Sequence, residues 1–174
     1  GKLVALDSLN ASSGQGLIVL HAAERAQAGA TIEELERELP GVIARTHSYA
    51  MIGSLDYAVR GGRVPPIART AARFLRIAPL LATHPDGRIA IGGALLGRAR
   101  LPEKFLAFLL RRMDRAKRYR IGIAHAHAPE VGEWLQTELK RGHPHIESSF
   151  LVPLGSALST HGGPGTVVVG VQER

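Results

Sequence analysis

The sequence predicts an α/β fold, and three features carry that expectation. Leu3 to Leu6 is a short apolar run that reads as a buried strand ended by Asp7-Ser8. The small-residue stretch Asn10 to Gly16 then leads into an apolar helix from about Leu17 to Ala28, and strand, loop and helix make half a parallel α/β unit. Further on, Ile77 to Thr83 and Arg88 to Gly92 flank Pro85-Asp86-Gly87, a turn signal between two strands of a hairpin.

The remaining elements follow in order. Gly29 ends the first helix, and Thr31 with Glu34 forms a capping box that opens a second one, running to about Ala44 with Leu35, Leu39, Val42 and Ile43 inward. Arg45 to Ile52 reads as extended, and the composition shifts at Arg45 to Ser48, the candidate domain boundary. Ser54 caps a short helix through Val59 that Gly61 terminates. Pro65-Pro66 opens a helix to about Phe74, with Arg69, Arg73 and Arg76 on one face, either a solvated stripe or a docking surface for an acidic partner. Pro102 starts a long helix to about Lys117, and Pro129 another to about Lys140. Tyr119 to Ala124, Ile146 to Val152 and Val167 to Val171 read as strands, and Pro153 to Ser159 as a short turn or helix.

Composition narrows the chemistry. With 174 residues and 45% hydrophobic content, the chain can bury a core, built from Leu, Ile, Val and Ala because aromatics are only 5%. The absence of cysteine excludes disulfides and thiolate metal sites and fits a reducing compartment. A formal charge of +7 favours anionic partners, or reflects an arginine-rich solvated surface. No run approaches the roughly 20 apolar residues of a membrane span. The opening GKLVALDS has no signal-peptide pattern and reads as a strand already under way.

No nucleophile motif is present, and Ser156 and Ser159 are near His161 only in sequence. The pairs His125-x-His127 and His143-x-His145 have a usable ligand spacing without the further ligands a zinc site draws in. Two glycine-rich stretches remain. Arg60 and Arg63 flank Gly61-Gly62, and Thr160 and His161 precede Gly162-Gly163-Pro164-Gly165. Glycines let backbone amides converge on an anion, and His and Thr add directional donors. The two stretches are either tight turns or a converging anion site.

Five segments bear a family likeness: LDSLNASSGQGLIVLHAAE at 6–24, LDYAVRGGRV at 55–64, LRIAPLLATHPDGRI at 75–89, IAHAHAPE at 123–130 and STHGGPG at 159–165. Through them the chain resembles the C-terminal part of the DegV family, bacterial fatty-acid-binding proteins that serve a fatty acid kinase. The likeness spans essentially the whole chain. Nothing here corresponds to the family's N-terminal half, whose Ser- and Thr-bearing loops supply much of its carboxylate site. In the last segment Ser159 and Gly162 stand where the family commonly has Gly and Thr.

The resemblance implies the end of an N-terminal parallel-sheet α/β domain over 1–46, followed by a mixed-sheet α/β domain of the DegV type over 47–174. It implies a cytoplasmic carrier and not an enzyme. The carrier would hold one long-chain fatty acid, present its carboxylate to a fatty acid kinase and carry the acyl phosphate. It would use no cofactor or metal, no nucleic acid and no stable membrane anchor. His161, with Thr160, Gly162, Arg60 and Arg63, would border the carboxylate; Phe74, Leu75, Ile77, Leu80 and Leu81 would meet the tail. The rival readings are a basic nucleic-acid-binding module, which lacks aromatics to stack bases, and a small hydrolase using His161.

Overall fold

The computed structural model describes residues 2–62, 64–97 and 99–174, with residues 68, 69 and 73 described by their backbone alone. Helix α1 (Ser12–Gln27) leads to α2 (Ile32–Ala44), which opens with the expected capping box: Thr31 Oγ1 accepts from Glu34 N, and Glu34 accepts from Thr31 N at 2.8 Å. Strand β1 (Thr46–Met51) follows, then the short helix α3 (Leu55–Arg60), capped by Ser54 and closed at Gly61, and α4 (Pro66–Phe74). β2 (Ile77–Thr83) and β3 (Ile89–Leu96) form the hairpin, whose turn is closed by His84 N donating to Arg88 O at 2.8 Å. Gly87 there has φ +80, a conformation glycine adopts without cost from a Cβ. The chain continues through α5 (Leu101–Leu110), β4 (Tyr119–His125), α6 (Pro129–Gly142), β5 (Ile146–Pro153), α7 (Ser156–Gly162) and β6 (Val167–Glu173).

The strands form one mixed sheet in the order β3-β2-β1-β6-β4-β5. Only β4 and β5, joined across α6, run parallel; every other pairing is antiparallel. One face is bulky. Met51, Leu80, Ile121, Ile123, Val167 and Val169 point there and pack under Phe105, Phe108 and Leu109 of α5 and Leu135 and Leu139 of α6. This is the main core, and burying each such side chain contributes about 1.5–3 kcal/mol.

The other face is built from small residues, because side chains alternate along a strand. Ser48 and Ala50 of β1, Val168 and Gly170 of β6, and Gly122 and Ala124 of β4 lie there in register. α1 crosses this face at close range. A Cβ on Gly170 would sit 2.6 Å from Gly14 N, and one on Gly14 would strike the Ser48 hydroxyl. Ser13 Oγ donates to Val168 O at 3.3 Å. α2 then covers α1 through Ile18, Leu39, Val42 and Ile43, with Glu38 meeting His21 at 2.7 Å and Arg25 at 2.8 Å.

Three sequence expectations need correction. Leu3 to Leu6 is not a buried strand: it pairs with none of the six strands, and Leu3 is 95% exposed. A strand needs a neighbour for its backbone groups, and here Lys2 is drawn instead to Glu33 and Glu36 on α2. The stretch Asn10 to Gly16 is not a loop throughout, since α1 begins at Ser12; its small residues serve close helix-to-sheet approach. The helix from Pro102 ends at Leu110, not near Lys117. Asp114 finds tertiary partners, its N–H donating to the Tyr119 hydroxyl at 2.9 Å and its carbonyl facing His143 Nε2 at 3.0 Å. Among the described residues no helix is long and apolar enough to cross a membrane.

The glycine contact makes a direct prediction. Gly170→Ala forces α1 away from β6 and lowers stability by about 1–3 kcal/mol, the usual cost of overpacking. Urea unfolding measures it, and an unchanged midpoint would contradict the close-approach account.

Candidate ligand cavity

The small-residue face is not fully covered. α1 spans the part over Gly170 and Gly122, while α3 and α7 close over the part nearer the end of β1. Between them lies an apolar cleft of about 170 Å³. Its floor is Ser48 and Ala50 of β1 and Ile52 just beyond its end, beside Leu81 and Thr83 of β2 and Val168 of β6. Its wall is Leu154 with Leu158, His161 and Gly162 of α7, and Ala58 of α3; Ala11 and Ser12 close the end beside α1.

The two glycine-rich stretches do converge at this cleft. A Cβ on Gly61 would collide with His161 Nδ1, so the bare Gly61 backbone is what allows the imidazole to lie there. Gly163, at φ +74, similarly leaves room for the Tyr57 ring, and Gly53 for the Pro164 carbonyl. Thr166 fastens the junction: its hydroxyl donates to Gly162 O at 2.7 Å and accepts from Gly53 N at 3.0 Å.

The polar groups at the two ends of the cleft differ in kind. Near α1, Ser48 Oγ donates to Asn10 Oδ1 at 3.0 Å, also lying 3.1 Å from Ala11 O, and Thr83 Oγ1 lies 3.3 Å from the same Asn10 oxygen. Thr83 Oγ1 also accepts from Ser48 N at 3.0 Å, and Asn10 Nδ2 donates to Thr46 O at 2.9 Å. These groups satisfy one another. At the α7 end, His161 Nδ1 is buried with no hydrogen-bond partner among the described residues. A buried polar atom left so costs about 1–3 kcal/mol, which an incoming acceptor or donor would recover.

The sequence-predicted residues are distributed unevenly around this geometry. His161 and Gly162 line the cleft, and Leu81 lies on its floor. Thr160 is exposed and its hydroxyl donates to Ala157 O at 3.0 Å. Arg60 is exposed, with its guanidinium 5.0 Å from the Tyr57 ring centre. Arg63 lies outside the described residues, as do the side chains of Arg69 and Arg73 in the basic stripe; Arg76 is exposed. Phe74 and Leu75 are 87% and 57% exposed beyond the cleft, Ile77 is half-buried at the start of β2, and Leu80 points into the main core on the opposite face.

One imidazole of each histidine pair is engaged by backbone groups. His125 Nδ1 accepts from Ala128 N at 3.3 Å, and His143 Nδ1 accepts from His145 N at 3.3 Å. Among the described residues no three His, Asp or Glu gather as metal ligands. Sequence reading missed Ser48, Ala50, Thr83, Leu154, Leu158 and Val168. The two-residue period of Ser48, Ala50 and Ile52 and the four-residue step from Leu154 to Leu158 were the available signals.

Known proteins share this architecture. The family model described as "Uncharacterised protein, DegV family" matches residues 1–174. A DegV domain-containing protein of Lactococcus lactis is 27% identical over 170 residues, covering 97% of this chain and 57% of the relative. One from Clostridium perfringens is 27% identical over 159 residues, covering 91% and 56%. The chain thus spans little more than half the length of these relatives. Among solved structures, a DegV family protein from Thermus thermophilus described for its fatty acid binding superposes with a TM-score of 0.84 at 25% identity, over 100% of this chain and 62% of that one. A Thermotoga maritima protein, whose structure is described as revealing a fatty acid binding function, gives 0.80 at 25% identity, over 97% and 58%. With the family model matched from end to end and the same mixed-sheet α/β fold, this chain belongs to the DegV family.

Proposed function

We propose that this chain encloses the acyl tail of a fatty acid and orients its carboxylate. The observation that carries the reading is the asymmetric cleft, apolar along its length, with its polar groups mutually satisfied at one end and, at the other, an imidazole whose buried Nδ1 has no partner among the described residues. Each buried methylene contributes about 0.8 kcal/mol, so the tail supplies affinity and the polar end supplies orientation. The carboxylate belongs at His161, the end with a polar atom to spare. The solved relatives from Thermus thermophilus and Thermotoga maritima, described as fatty acid binders, support a fatty acid as the ligand.

The wider role is part of this proposal. A carrier that presents a carboxylate to a fatty acid kinase and takes away the acyl phosphate needs no nucleophile of its own. Such a carrier works in the cytoplasm, where the kinase finds its nucleotide. The division into 1–46 and 47–174 belongs to the same reading, in which the first segment completes an α/β domain of the longer relatives. Thr160, Arg60 and Arg63 would then act at the carboxylate end once the kinase or the acyl phosphate is in place.

A displacement titration with a fluorescent fatty acid tests the binding. One saturable site is expected, and the absence of saturable uptake would contradict the proposal. His161→Ala should weaken binding by about tenfold or more, as loss of a hydrogen bond to a charged group does; an unchanged Kd would remove His161 from the site. Gly61→Ala should weaken it too, because the added methyl displaces the imidazole while φ −78 is acceptable to alanine.

A further inference from the structure

A second cavity, of about 330 Å³, adjoins the ligand cleft at Thr83. Leu9, Pro40, Ile43 and Ala44 give it an apolar side, with Asp7, His47 and His84 at its rim. Partial desolvation holds the His47 imidazole below its ordinary value. Thr83 lines both cavities. Asn10 lines the second, while its side-chain oxygen meets Ser48 and Thr83, which line the first. A bonded cluster of three small polar side chains therefore reaches from one space to the other.

We infer that Asn10, Ser48 and Thr83 form the stop that limits the length of the acyl chain. The inference rests on the fatty-acid reading above and adds a specificity determinant to it. With the carboxylate at His161, the tail runs along β1 toward Ser48. Ile52 and Ser48 both line the cleft and are four residues apart, about 13 Å at the rise of a strand. There the tail meets Ser48 and Thr83, which are bonded to backbone and to Asn10 behind them. Asn10 Nδ2 holds Thr46 O and Ser8 O, Asn10 Oδ1 faces both hydroxyls, and Thr83 Oγ1 takes the Ser48 N–H. A tail pushing past must break several of these bonds at once, and a methyl group offers nothing in exchange.

Size gives the stop its consequence. At about 170 Å³ the cleft is roughly half the size of the second cavity. The space behind the stop is larger and partly apolar. Removing the stop joins the two, and each further methylene admitted is worth roughly fourfold in affinity.

The test is competition among chain lengths. The delipidated chain is incubated with an equimolar mixture of even saturated fatty acids from octanoate to icosanoate, and native mass spectrometry reads which acids are bound. Asn10→Ala and Thr83→Ala should each shift the bound set toward longer acids, the ratio of long to short rising roughly fourfold for every added methylene. Thr83→Ser, which keeps the hydroxyl, should retain the wild-type profile. Should Asn10→Ala unfold by circular dichroism, Thr83→Ala decides, since of the three residues Thr83 alone lines both cavities. An unchanged profile in folded Thr83→Ala overturns the stop while leaving fatty-acid binding intact. Wild-type protein that takes up no acid of any length overturns the fatty-acid reading, and the stop with it.

Discussion

The contact on which the rest of this structure depends is the approach of α1 to β6, where Gly14 lies against Gly170 with no side chain between them. A helix that close to a sheet covers a narrow strip of it. It also leaves an uncovered strip alongside, running from the edge of Ser48 over Ala50 and Val168, and the cleft occupies that strip. Larger residues at these positions would fill the space and lift the helix. The two faces of the sheet therefore divide the work. The bulky face under α5 and α6 supplies the core, and the face of small residues supplies room.

The α3–α7 junction uses the same device. Gly61 admits His161, Gly163 admits Tyr57, and Gly53 admits the Pro164 carbonyl, so three missing side chains bring two distant parts of the chain into contact. The result places an imidazole whose Nδ1 has no partner among the described residues at one end of an apolar space, and a closed polar network at the other. That contrast gives the cleft a direction, which is the basis for assigning head and tail.

Local chemistry was legible in the sequence, and tertiary decisions were not. The capping box of Thr31 and Glu34, the Pro85-Asp86-Gly87 turn and the Ser54 cap are complete within a few residues and were read correctly. Leu3 to Leu6 is too short a run to decide, and whether it becomes a strand depends on a neighbour that the run itself does not encode. The end of α5 is set by Tyr119 and His143, both remote from Leu110. In the site, the glycine-rich stretches pointed to His161. The tail-facing residues were harder, because Leu80 and Leu81 are adjacent in sequence yet face opposite sides of the sheet. Choosing between them required knowing which face α1 leaves open.

The central claim is that the cleft holds an acyl chain with its carboxylate at His161. The most direct measurement is native mass spectrometry of the purified chain with solvent extraction and identification of what it carries. The account predicts one fatty acid per chain, largely absent from His161→Ala prepared in the same way. A chain that emerges empty, and stays empty after incubation with fatty acid, would contradict it.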